Sequence, residues 1–146
     1  MGFRFRFETL LRVRKIREDL AMQEFSKIQK HLKDLEMLKS FNESRRSDTR
    51  QQFIQKIDAG LKSADIATYQ SYLSRLDAEI GQLDTLIIQA GRQLDAKREE
   101  LLKAKKEFKT MKRLREIDEQ RYRTRQQKED MRFMDELAIL RYGSRQ

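Results

Sequence analysis

From Tyr69 to Met111 apolar residues return at alternating intervals of four and three. The positions are Tyr69, Leu73, Leu76, Ile80, Leu83, Ile87, Ala90, Leu94, Lys97, Leu101, Ala104, Phe108 and Met111. Only Lys97 is not apolar, and its stem can lie along a seam while the ammonium reaches water. A phase kept for about six heptads predicts a coiled-coil helix. A shorter seam runs through Ala21, Phe25, Ile28, Leu32 and Leu35. Phe3, Phe7, Leu10 and Leu11 continue its apolar face upstream, and Phe53, Ile57 and Leu61 resume it downstream.

Between the seams lies Asp58-Ala59-Gly60-Leu61-Lys62-Ser63-Ala64-Asp65. Gly60 can take the left-handed conformation that ends a helix, and Ser63 or Asp65 can cap the next one. Gly81 and Gly91 fall inside the strongest heptad run, so neither marks a turn. The expectation is an all-α fold: a long two-stranded antiparallel coiled-coil hairpin with a C-terminal helical overhang, one domain over residues 1–146. Helix one is placed at about 3–58, the turn at about 59–65 and helix two at about 66–140; at 1.5 Å per residue the helices are about 80 and about 110 Å long. In an antiparallel pair the numbers of facing residues add to a constant. Ala21 with Ala104, Phe25 with Leu101, Leu32 with Leu94, Phe53 with Leu73 and Ile57 with Tyr69 all give about 125, which puts the hinge inside the expected turn.

Two features exceed what a hairpin needs. Helix one loses its apolar seam from about Lys39 to Gln52, opposite Leu73, Leu76, Ile80, Leu83 and Ile87. Either long Arg and Gln stems cover that stripe, or it is a partner groove. Phe3 pairs near residue 122, so the chain from about residue 123 has no partner helix. That tail carries an amphipathic stretch with Met131, Met134, Leu137 and Ala138. It is either frayed or a docking helix that orders on a partner.

Composition supports long helices over a compact globule. The chain has no Pro, five Gly, 39% charged residues and a mean hydropathy of -0.89. Net charge is +9, unevenly spread. Lys103–Lys128 holds eleven Lys or Arg against four Asp or Glu, and residues 1–17 hold six against one. Residues 58–100 hold five against eight. The two basic stretches lie side by side at the open end of the hairpin, where like-charge repulsion costs stability. We therefore expect that end to meet an acidic surface. No Cys is present, so no disulfide or thiolate chemistry is available. One His, His31, cannot assemble a zinc site alone, no glycine-rich phosphate loop occurs, and adjacent Glu99 and Glu100 face different sides of a helix. No enzyme, metal or cofactor is expected. The basic start of the chain lacks the apolar region of a secretory signal, and no run approaches a membrane span.

Three stretches resemble the FliJ family. Phe5-Arg6-Phe7-Glu8-Thr9-Leu10-Leu11-Arg12-Val13-Arg14 looks like its opening, Tyr69-Gln70-Ser71-Tyr72-Leu73-Ser74-Arg75-Leu76 like the start of its second helix, and Met134-Asp135-Glu136-Leu137-Ala138 with Arg141 like its closing motif. The aromatic start, with Phe3, Phe5 and Phe7, departs from the pattern. The resemblance covers the whole chain. It implies a non-enzymatic stalk in the flagellar type III export ATPase hexamer, linked to the cytoplasmic part of the membrane export gate and to export chaperones. It also implies a cytoplasmic location at the periphery of the inner-membrane export apparatus. On that analogy Tyr69, Tyr72, Leu73, Leu76 and Ile80 meet the gate, while Arg4, Arg6, Arg14, Lys112, Arg113 and Arg115 enter the ATPase ring. Asp135, Glu136, Ala138 and Arg141 are the C-terminal motif.

Two alternatives share the physics. A nucleic-acid-binding coiled coil would use the same basic helix, although a zipper factor places its heptads after the basic region, not before it; no nucleic-acid partner is expected. The equivalent stalk of a virulence-type secretion system would have the same fold.

Overall fold

The computed structural model describes residues 2–144; Met1 at the leading edge and Arg145 and Gln146 at the end of the expected overhang lie outside them. Among the described residues there are two helices: α1, Glu8–Asp58, of 51 residues, and α2, Ser63–Ser144, of 82 residues. They pack antiparallel as an all-α hairpin, and among the described residues there is no strand. Their ends suit the helix dipole: Glu8 and Asp65 occupy first turns, and Lys56 and Arg141 occupy last turns.

Helix one was expected to begin near residue 3, but the chain enters α1 only at Glu8. The Leu11 amide donates to the Phe7 carbonyl at 2.9 Å and the Glu8 amide to the Phe5 carbonyl at 3.3 Å. That bond closes a turn over Arg6 and Phe7, in which the Phe5 and Phe7 rings meet edge to face at 5.9 Å. Phe5 is buried with Leu11 and Met111, and Phe3, Phe108 and Leu114 pack around them.

The turn is shorter than expected. Gly60 has φ +92°, a conformation that costs a residue with a Cβ. The Gly60 amide donates to the Ile57 carbonyl at 3.1 Å. The Lys62 carbonyl then accepts from both the Asp65 and Ile66 amides at 3.1 Å, which opens α2. Because Ser63, Ala64 and Asp65 are already helical, the hinge moves toward the N-terminus.

The register moves with it. Cross-helix ion pairs join Glu8 to Arg115 and Arg14 to Glu107; others join Glu24 to Lys97, Lys39 to Asp84 and Arg46 to Asp77. These numbers add to about 122 rather than about 125, a slip of nearly one helical turn. Phe53 accordingly stacks on Tyr69, with centroids 5.3 Å apart, rather than on Leu73. In the non-helical start, Phe3 meets Tyr122 at 5.6 Å.

Contacts group the chain into two packing units. One takes in α1 up to Leu20 with α2 from Leu102; the other spans Ala21–Leu101. The second unit contains a correction. The seam of α1 does not stop at Lys39: it continues through Lys39, Asn42, Arg46 and Thr49, all buried or half-buried. Asn42 is only 7% exposed. Opposite this polar seam, Leu76, Ile80 and Leu83 are buried. Of the two readings of this stripe, the first therefore holds: it is hairpin core, roofed by long polar stems, and not an open groove. Fully burying Leu76 is worth about 2 kcal/mol. Lys97 behaves as its seam position requires: half-buried, with Nζ 3.0 Å from Glu24 and 3.2 Å from Glu100.

Candidate partner surfaces

Each unit carries one surface with unusual chemistry. In the Ala21–Leu101 unit it is a row of aromatic rings and cations. The Arg45 guanidinium lies 5.6 Å from the Phe41 ring centre and 5.7 Å from that of Tyr72. Arg75 covers Tyr72 at 5.4 Å. Phe41 is 57% exposed and Leu38 48%. Lys56 lies over Tyr69 at 5.4 Å. Its interaction with the Tyr69 side chain holds the ammonium above the ordinary lysine value. Guanidinium groups against ring faces are stabilised by the ring quadrupole and stay partly desolvated.

Of the five residues expected to meet a gate, Tyr69 and Tyr72 are half-buried at this surface. Leu76 and Ile80 are turned into the hairpin core, and Leu73 is half-buried. Phe41 and Arg45 escaped the sequence reading because they sit at the polar stretch of α1. Their four-residue spacing, which puts them on one helix face, was the signal to follow.

In the other unit the basic residues divide. Arg14 points inward: its Nη1 lies 2.7 Å from Glu107, and its Nε and one oxygen of Glu18 are buried without a partner. Arg115 pairs with Glu8 at 3.5 Å, and Arg113 with Glu116 at 3.5 Å. Arg4 and Arg6 are exposed, Arg6 lying 5.1 Å over the Phe7 ring. Lys112 and Arg113 share a shallow basic face of α2 with Lys106, Lys109, Thr110 and Glu116. Arg4 and Arg115 line a second hollow with Phe3, Phe5, Glu8 and Arg12. Such an array can hold an anionic surface by charge-assisted contacts.

The four C-terminal motif residues Asp135, Glu136, Ala138 and Arg141 are all exposed on α2. Ala138 and Arg141 line a shallow hollow with Met134, Leu137 and Tyr142. Among the described residues no cluster of three or more His, Cys, Asp or Glu could hold a metal ion. Among them, too, no helix is long and apolar enough to cross a membrane.

Comparison with known proteins agrees with this architecture. The model of the flagellar FliJ protein family matches residues 3–146. The flagellar FliJ protein of Bacillus subtilis is 23% identical over 142 residues, covering 97% of each chain. Among solved structures, a protein of Chlamydia trachomatis described as a proposed YscO homolog superposes with a TM-score of 0.63 at 20% identity, over 99% of this chain and 100% of that one. That likeness concerns the fold. The family match spans almost the whole sequence, and on it the chain belongs to the flagellar FliJ family and is a component of the flagellar type III export machinery.

Proposed function

We propose that the chain is a non-catalytic stalk of the flagellar export ATPase ring, with separate surfaces for the ring and for the export gate. The observation that carries this reading is the unshared positive charge of the unit formed by the start of α1 and the end of α2. Arg4, Arg6, Lys106, Lys109 and Lys112 are all exposed there, and nothing in the hairpin requires them. An acidic lining in the centre of a ring would offset their repulsion and speed docking. The ring is contacted by Arg4, Arg6, Lys112 and Arg113, while Arg14 and Arg115 hold the hairpin together through Glu107 and Glu8.

The gate surface is the Phe41–Arg45–Tyr72 row with Tyr69. Exposed aromatic residues and Arg are the usual anchors of protein interfaces. Leu76 and Ile80 are buried and Leu73 half-buried, so the exposed contact falls to the row itself. Export chaperones are further partners in this reading, and the protein works in the cytoplasm at the inner-membrane export apparatus. The experiment is capture of the export ATPase and of the cytoplasmic gate domain by purified protein. Phe41→Ala with Tyr72→Ala should lose the gate and keep the ATPase. Loss of both together would mean that the surfaces are not separate.

A nucleic-acid partner is the rival for the basic face. Glu107, Glu116, Asp118 and Glu119 interrupt it, which favours a protein surface over a continuous phosphate backbone. A virulence-type stalk would share the fold but not the flagellar family match.

A further inference from the structure

Between Leu35 and Phe53, α1 gives the seam no apolar residue. In the observed register Lys39, Asn42, Arg46 and Thr49 face Leu83, Ile80, Leu76 and Leu73. Four polar layers in succession lie on an aliphatic stripe. Earlier in the same unit the α1 layers are apolar: Phe25, Ile28, Leu32 and Leu35 are all half-buried. Closure of residues 39–50 therefore depends on how their long side chains are held.

Two carboxylates of α2 hold them. Lys39 Nζ lies 2.6 Å from Asp84, and Arg46 Nη1 lies 2.9 Å from Asp77. Arg50 also reaches Asp77, at 3.8 Å. Asp77 and Asp84 are one heptad apart, so they share a flank of the hairpin. With the charged heads clamped there, the stems of Lys39 and Arg46 stay on the stripe, and Leu76, Ile80 and Leu83 stay buried. The Asp77 and Asp84 side chains are themselves 48% and 47% exposed, so salt reaches both clamps.

The row formed by Phe41, Arg45, Tyr72 and Arg75 lies on the other flank. Asp77 follows Tyr72 by five residues and Asp84 follows it by twelve, which turns them about 140° and about 120° round α2. Neither carboxylate takes part in the row's ring contacts. Yet the row is built from both helices, and Arg45 reaches Tyr72 from the very stretch that the clamps close.

We propose that residues 39–50 of α1 are an electrostatic latch: Asp77 and Asp84 close it from one flank and thereby assemble the aromatic–cation row on the other. The two carboxylates are positioning residues that do not touch what the row binds. The latch is independent of the row's partner; its control over capture of the export gate rests on the gate reading above.

Hydrogen exchange, tyrosine-selective NMR and capture of the cytoplasmic gate domain test it, with the full chain carrying Asp77→Ala/Asp84→Ala. Loss of these exposed clamps should speed exchange over residues 37–52 by about tenfold and leave residues 21–35 at the wild-type rate. The Tyr72 ring resonance should move as Arg45 leaves it. Gate capture should weaken by at least about twofold, because only the closed form presents the row. Adding Asn42→Leu and Thr49→Val gives the seam two apolar layers and should restore all three. Unchanged exchange over residues 37–52, an equal acceleration over residues 21–35, or a Tyr72 ring that stays put while the stretch opens would each overturn the latch. So would a seam-filled variant that closes without recovering the ring resonance. A gate domain that is not captured, or is captured equally well, while exchange and ring respond as stated would uphold the latch and remove the gate reading.

Discussion

The Arg14 guanidinium lies 2.7 Å from the Glu107 carboxylate, with 26% and 31% of the two side chains exposed. Both occupy the interface between α1 and α2, where an apolar pair would pack. The pair takes two charges partly out of water, and Arg14 Nε has no partner there. Removing one partner leaves the other charge uncompensated. Arg14→Met or Glu107→Leu alone should therefore cost about 1–3 kcal/mol, and the double replacement should recover most of that. Chemical denaturation of the three variants checks it; additive losses would mean that the two groups do not interact.

Leu76 and Phe41 separate core from surface. Leu76 is 1% exposed, so Leu76→Ala should lower stability by about 2–5 kcal/mol. Phe41→Ala, on an exposed ring, should change stability by less than about 1 kcal/mol while weakening gate binding. Equal destabilisation by both would place the Phe41 row in the core.

How far the chain could be read in advance follows from these positions. The α2 seam was legible because residue after residue is apolar at the right interval, and a hairpin of this kind writes its period into the sequence. The α1 seam was legible as far as Leu35 and again from Phe53. Between them, Lys39, Asn42, Arg46 and Thr49 keep the spacing without the hydrophobicity, and a pattern of apolar residues is blind to polar stems that roof a core. The register slipped because long side chains reach one turn either way, so seam matching alone tolerates the error; only the turn geometry at Gly60 and Lys62 resolves it. The aromatic–cation surface was half legible, through Tyr69 and Tyr72, because its other half comes from the polar stretch. The basic residues were found, but which of them are engaged in the hairpin depends on Glu8 and Glu107, contacts between residues far apart in sequence.

Gly81 and Gly91 lie within α2, and a Cβ added at either meets nothing within 4 Å. Gly81→Ala and Gly91→Ala should each stabilise the helix by about 0.5–1 kcal/mol. Gly60→Ala, at positive φ, should instead cost about 1 kcal/mol. Thermal melts of the three variants would show the opposite signs; a stabilised Gly60→Ala would contradict the turn.

Lys97 carries an ammonium held above the ordinary lysine value, first by its hydrogen bond to Glu24 and then by that to Glu100. A raised folded value means that the folded state binds this proton more tightly than the unfolded state. The contribution is complete below the ordinary lysine value and is lost as pH rises through the folded one. Stability should thus hold through neutral pH and fall at strongly alkaline pH, more steeply in the wild type than in Lys97→Met. Identical alkaline slopes would remove Lys97 from the account of the seam.

The stalk assignment is tested most directly by stimulation of the purified export ATPase. The variant to use is Arg4→Glu/Arg6→Glu/Lys112→Glu, which reverses exposed charges and leaves Arg14 with Glu107 and Arg115 with Glu8. Wild-type protein should bind the ring and raise its ATPase rate, and rising salt should weaken the complex, because exposed charges are screened over about 8–10 Å. The triple variant should lose the stimulation while its melting temperature stays equal or rises, and excess duplex DNA should not displace the ring from the wild type at moderate salt. A wild-type protein that binds DNA and neither binds nor stimulates the ATPase would contradict the stalk, as would a triple variant that stimulates as well as the wild type.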